Sequence, residues 1–244
     1  MPWTASVVTL FPEMFPGPLA CSLAGKGLQK GIWELTTIQI RDFATDKHRT
    51  VDDTSYGPNA GMILKPDIVH CALSSAVERF AGTPQILFMT PRGATLTQPM
   101  VRDLASSDGV IILCGHYEGI DERVVEHWKT HNNLKEVSVG DYILSGGEIA
   151  ALTVLDACIR MLPNIMHNNA SIAQESFDLD LLEFPQYTKP YRWQEKVVPE
   201  ILLSGDHKRI AEWQKEQAEN VTRVRRPDLW QLYLERKRNG TQGG

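Results

Sequence analysis

Strand-length apolar runs alternate with helix-period segments through the first two thirds of this chain, and that alternation limits the fold more than any other feature. "ASVVTLF" (Ala5 to Phe11), "LTTIQI" (Leu35 to Ile40), "QILFM" (Gln85 to Met89), "GVIILC" (Gly109 to Cys114) and "EVSV" (Glu136 to Val139) read as strands. A helix-forming segment starts near "PEMF". "KPDIVHCALSSAVERF" (Lys65 to Phe80) puts Ile68, Val69, Ala72, Leu73, Ala76 and Phe80 on one helical stripe. "LTQPMVRDLA" and "ERVVEHW" are further helices, the second opened by Asp121, whose charge suits a helix N-terminus. "GGEIAALTVLDACIRML" (Gly146 to Leu162) is a long helix closed by Pro163. A β-α-β-α order predicts an α/β fold with a mostly parallel sheet and helices on both faces.

Beyond Pro163 the pattern changes. From there to about Pro190, periodicity fades into Asn, Ser, Asp and Pro, which predicts a linker that orders on binding. Two helical segments follow, with Ser204 or Asp206 as cap and "NGTQGG" as a frayed tail. The expected organisation is a domain over 1–162, a linker over 163–190 and a helical domain over 191–244. Charge divides in the same way. Net charge is −5, yet residues 1–185 hold 13 Lys and Arg against 22 Asp and Glu, and residues 186–244 hold 12 against 8. A basic C-terminal piece on an acidic body fits both a phosphate-binding patch and solvated helix faces.

Other classes are set aside by what the chain lacks. No apolar run approaches membrane-span length, and no signal peptide is apparent, so a cytoplasmic protein is expected. The four cysteines, Cys21, Cys71, Cys114 and Cys158, are far apart without metal spacing, and buried, reduced thiols are expected. Neither GxGxxG after the first strand nor GxxxxGK[ST] occurs, which argues against the usual dinucleotide and phosphate loops.

Three Gly-bearing loops each follow a strand: "TPRG" (Thr90 to Gly93), "CGHYEGIDERV" (Cys114 to Val124) and "SVGDYILSGGE" (Ser138 to Glu148). Loops at the carboxyl ends of parallel strands build the ligand sites of α/β proteins, and three in succession point to one pocket. Their composition suits a neutral or zwitterionic nucleoside-like ligand held by backbone hydrogen bonds. Asp121, Glu122 and Arg123 are expected to set the following helix and its salt bridges instead.

"LFPEMF", "RDF…D.HRTVDD", "YG…GM", "CGHYEGIDERV", "GDYILSGGE" and "LLSGDH" occur in this order along nearly the whole chain. Together they resemble the bacterial tRNA (guanine-N1)-methyltransferase family, TrmD. The resemblance implies a SPOUT-type α/β domain with a deep trefoil knot, which general topology rules would not predict, plus a small helical C-terminal domain. It further implies a homodimer with a composite active site, S-adenosylmethionine as methyl donor, and tRNA as acceptor at the guanine immediately 3′ of the anticodon. The donor-binding positions it marks are Phe88, Met89, Thr90, Pro91, Arg92 and Gly93, then Gly115, Tyr117, Glu118 and Gly119. The third loop adds Ser138, Val139, Gly140, Tyr142, Leu144, Gly146 and Gly147.

Methylating guanine N1 requires loss of its proton, so a carboxylate base and a cation beside the neighbouring carbonyl are the expected chemistry. The resemblance implies Arg160 as the cation. It implies Glu175 of "QESF" as the base, where the family carries aspartate, with Asp178 and Asp180 as fallback positions. The chain also departs from the family at Arg92, at His116 and in "YGPNAGM". His48 and Arg49 match tRNA-contacting positions, and Arg223, Arg225 and Arg226 would meet phosphates. Family members use magnesium (Mg2+), for which Glu118 is a candidate oxygen ligand. A catalytically silent tRNA-binding protein is the alternative, and a nucleotide-dependent oxidoreductase would need the missing fingerprint.

Overall fold

The computed structural model describes residues 1–58, 61–166, 176–177 and 180–240. The chain divides into two compact units, Met1–His167 and Asn168–Gly244.

Five strands of the first unit form one sheet: β1 (Trp3–Thr9), β2 (Trp33–Gln39), β5 (Gln85–Thr95), β6 (Gly109–Cys114) and β7 (Lys135–Ser138). Their order is β2-β1-β6-β5-β7, and every pairing is parallel, as the alternating sequence predicts. Between β2 and β5 lie the antiparallel pair β3 (Asp52–Thr54) and β4 (Met62–Leu64). Side chains alternate across a strand, so neighbours part company: Val7, Leu87 and Ile112 join one core cluster, and Val8, Phe88 and Ile111 the other. The first cluster is covered by α1 (Ser22–Gln29), α3 (Gln98–Ala105) and α5 (Glu148–Ile159). α2 (Pro66–Arg79) and α4 (Glu122–Asn132) cover the second, the α2 stripe of Ile68, Val69, Ala72, Leu73 and Ala76 all buried.

Three expectations change. The segment at "PEMF" forms two 3₁₀ turns, Pro12–Met14 and Gly17–Ala20, and α1 begins only at Ser22. Pro12, Pro16 and Pro18 explain the delay, since proline removes an N–H and keeps the residue before it out of the helical region. "TPRG" is not a free loop. It is a four-residue bulge inside β5, because Met89 and Ala94 both pair with Val137. Only Cys114 and Cys158 are buried; Cys71 lies on the outer face of α2 and Cys21 at the start of α1, both exposed.

The second unit contains a two-stranded hairpin, β8 (Arg192–Trp193) with β9 (Lys196–Val197), and the helices α6 (His207–Arg225) and α7 (Pro227–Gly240). Asp206, rather than Ser204, caps α6 by accepting from Arg209 N at 3.1 Å. Buried Thr222 accepts from Leu182 N at 2.8 Å and donates to Ala218 O at 2.7 Å, so the chain near Leu182, expected to be linker, is tied to α6. Tyr233 of α7 donates to Glu219 of α6 at 2.5 Å. α7 runs to Gly240, further than the frayed tail predicted from "NGTQGG", whose last four residues lie outside those described.

Candidate active site

A cavity of about 290 Å³ opens at the carboxyl ends of β5, β6 and β7, where an open parallel sheet places its ligands. Of the donor positions implied by sequence, the lining includes Phe88, Met89, Thr90, Pro91, Gly115, Tyr117, Glu118, Gly119, Ser138, Val139, Gly140, Tyr142, Leu144, Gly146 and Gly147. Arg92 and Gly93 stand outside it. The bulge turns Arg92 outward to Glu122, at 2.7 Å, and Glu136, at 3.5 Å. Gly93 serves the sheet: a Cβ there would lie 2.3 Å from Val137 N.

The turn after β6 is held on two sides. Leu64 N donates to Gly119 O at 3.0 Å, Glu118 N to Met62 O at 3.0 Å and Asp121 N to Leu64 O at 3.2 Å, so β4 acts as a backbone splint. Gly147 N donates to Gly115 O at 2.8 Å, joining this turn to the start of α5. A Cβ on Gly147 would sit 2.8 Å from Cys114 Cα. Its glycine is therefore required by the approach of two backbones, at a position that also lines the cavity. Gly119 is different: its φ is +123° and a Cβ there would meet open space. Asp121 caps α4 and pairs with Arg123 at 2.8 Å, and the hydrogen bond from Arg123 is the main cause holding its carboxyl below the usual range. That trio is structural, as expected.

Beneath the cavity floor, Glu148 is 2% exposed and accepts from Thr9 Oγ1 at 2.7 Å. Its other oxygen lies 4.0 Å from His116 Nδ1, which has no hydrogen-bond partner. Burial, and then the Glu148 charge, push the Cys114 thiol well above its ordinary range, so it stays a neutral thiol. Tyr117, held at φ +59°, accepts from Arg41 at 3.4 Å. Arg41 neighbours Asp42, which pairs with Arg49 at 3.2 Å. His48 N is held by Asp46 at 3.0 Å in the same exposed loop.

Arg160 ends α5 and lines a second cavity with Asp156, Ile159, Ile165 and Met166, also about 290 Å³. From Ala150, the α5 residue that lines the first cavity, to Arg160 the helix rises ~15 Å at ~1.5 Å per residue. Within one chain, then, Arg160 does not reach the first cavity. Glu175 and Asp178 lie outside the described residues. Asp180 is described, and its carboxylate is bound by Arg236 at 2.9 Å. Arg223 and Arg225 are exposed at the end of α6, whereas Arg226 is already held by Asp228 at 2.6 Å.

A family model described as "tRNA (Guanine-1)-methyltransferase TrmD" matches residues 3–232. The chain belongs to this family. Curated relatives named tRNA (guanine-N(1)-)-methyltransferase from Brucella canis and Brucella ovis are each 56% identical over 234 residues. These alignments cover 96% of this chain and 93% and 94% of the respective relatives.

As a TrmD-family chain it carries cavity residues that sequence reasoning missed: His116, Val137, Ile143, Ser145 and Ala150. Four of them immediately adjoin positions already marked: His116, Ile143 and Ser145 stand inside the quoted motifs, and Val137 directly precedes the third. Ala150 needed helix geometry, being one turn past Gly146. The β4 splint has no local sequence signal, because it acts through backbone groups only. Among the described residues no group of three His, Cys, Asp or Glu side chains could hold a metal ion. No helix there is long and apolar enough to cross a membrane.

Proposed function

We propose that the protein transfers a methyl group from S-adenosylmethionine to N1 of the guanine immediately 3′ of the anticodon in tRNA. Family membership across residues 3–232 carries this reading, and the convergence of three strand-end segments on one cavity supports it. The lining fits such a donor. Phe88, Val137, Val139, Ile143, Leu144 and Ala150 offer apolar walls for a heterocycle, Tyr117 and Tyr142 flank the cavity, and Glu118 can meet an ammonium. Bound there, the donor supplies an electrophilic methyl on sulfonium.

The chain's own groups supply the acid–base chemistry. Glu175 takes the N1 proton, and the always-charged Arg160 guanidinium stabilises negative charge growing on the guanine carbonyl. The ~15 Å along α5 from Ala150 separates Arg160 from the donor cavity of its own chain, which supports a symmetric dimer in which one protomer's donor meets its partner's acceptor groups. The reading takes the sheet as SPOUT-type with a deep trefoil knot. The Gly147–Gly115 hydrogen bond and the His116–Gly146 bridge support close packing of the segment before α5 on the end of β6. It assigns residues 1–162 to methyl transfer, 163–190 to the linker and 191–244, with Arg223 and Arg225, to tRNA phosphates, in the cytoplasm. Magnesium would be held by Glu118 and would supply positive charge toward substrate oxygens, since a hard cation keeps few protein ligands.

Methyl transfer from labelled S-adenosylmethionine to transcribed tRNAs, with and without the target guanine, tests the proposal. Labelling only when the guanine is present is expected. Labelling of both, or of neither, would overturn it. Calorimetric titration with S-adenosylhomocysteine and with NAD separates the donor site from an oxidoreductase site.

A further inference from the structure

The second unit exposes an aromatic hairpin that the reading above leaves without a task. Every residue from 185 to 197 is exposed, and Trp193 is 61% exposed, well beyond what a lone surface indole needs. Tyr187, Tyr191 and Val197 add to the same stretch at 44–49% exposure. Strand geometry sorts these side chains. Val198 N donates to Tyr191 O at 3.0 Å, Arg192 pairs with Val197, and Trp193 pairs with Lys196. Alternation along a strand puts Tyr191 and Trp193 on one face, with Lys196 directly across from the indole. At ~3.3 Å per residue their Cα atoms are ~6.6 Å apart, the separation of two rings with one further ring between them. Lys189, Arg192 and Lys196 against Glu195 make the hairpin net basic within the basic part of the chain.

We propose that this hairpin is a stacking platform for one unpaired base of the tRNA, gripped by Tyr191 and Trp193, with Lys196 of the same face on the adjoining phosphate. The inference rests on the tRNA-methylating reading and extends it. Exposed rings interleaved with cations are the combination that binds unpaired nucleotides, because any base has a face to stack on. Helix-borne arginines such as Arg223 serve phosphates alone and cannot tell an unpaired strand from a duplex. The hairpin therefore gives the second unit a preference for tRNA loops over stems.

Equilibrium binding of transcribed tRNA and of a fully paired RNA duplex of equal length, each across a salt series, tests this. Trp193→Ala should weaken tRNA binding by about ten- to a hundredfold, leave the salt slope unchanged and leave duplex binding untouched. Trp193→Phe should retain most of the affinity. Lys196→Ala should instead lower the salt slope by about one. S-adenosylhomocysteine affinity, read out in the other unit, should stay at the parent value throughout. Parent-like tRNA binding by Trp193→Ala would overturn the platform while leaving the methylating reading intact. Equal losses on tRNA and duplex would do the same, and so would a change of oligomeric state, which would mean that a second copy covers the hairpin. A parent protein that binds no tRNA would sink both readings together.

Discussion

Two inactive variants should restore each other if the active site is built from two chains. The structure supplies the reason: Ala150 of α5 lines the donor cavity and Arg160 ends the helix, ~15 Å further along. Gly140→Val disables the donor side. Gly140 sits at φ +147°, and an added Cβ would meet the Tyr142 ring at 2.5 Å, so a β-branched residue is excluded both by conformation and by space. Arg160→Ala disables the acceptor side, at about 10²–10³-fold in rate by analogy with other lost charge-stabilising donors. Hybrid dimers, co-expressed with two different tags and purified on both, combine one intact donor cavity with one intact Arg160, and pair the two lesions in the other site. One of two sites is then whole, so single-turnover methylation per hybrid dimer should be about half that of the parent dimer. Circular dichroism on each variant confirms folding. If each site lay within one chain, both sites of the hybrid would carry a lesion. A hybrid no faster than the better single variant would therefore refute the composite site.

Gly147→Ala should lower stability by about 1–3 kcal/mol and weaken S-adenosylhomocysteine binding, because its Cβ would press on Cys114 Cα at 2.8 Å. Gly119→Ala meets open space and should cost the ~1–2 kcal/mol of its left-handed conformation with no clash added, which denaturant titration reads. Glu175→Gln should slow single-turnover methylation by about 10²–10⁴-fold, or about 3–5 kcal/mol, with donor affinity unchanged, while Glu175→Asp keeps most activity and Asp178→Asn costs far less. Tyr233→Phe should destabilise the helical unit by about 1.5–3 kcal/mol at neutral pH, the range for a hydrogen bond to a charged group. Burial, and then the bond to Glu219, push the Tyr233 hydroxyl up to about 12. The raised value means that the stabilisation is complete below the unfolded tyrosine's ordinary value of about 10. It fades as pH rises toward 12, so the melting curves of parent and variant should converge there.

The sheet and its two covered faces were legible because strand periodicity and helix periodicity are properties of neighbouring residues. Val7 and Val8, or Ile111 and Ile112, declare by adjacency that both sides of the sheet are buried. The cavity's position was legible for a related reason: Thr90, Gly115 and Gly140 each follow a strand-length apolar run, and parallel strands end on one side. The sequence by itself therefore determined the class of fold, the end of the sheet that holds a site and the family. Only tertiary structure decided what each glycine is for. Gly93 and Gly147 look alike as ligand-facing glycines in the chain, yet an added Cβ on either would come within 3 Å of another backbone, and only Gly147 also lines the cavity. Such a contact joins segments tens of residues apart and leaves no local pattern. The same holds for the β4 splint under Glu118 and Gly119, made by main-chain groups whose side chains are irrelevant, and for Arg92, which a bulge in β5 turns toward Glu122. Residue identity records which surfaces must be dry. Which distant segments meet is settled by the packing of the whole sheet and its connections.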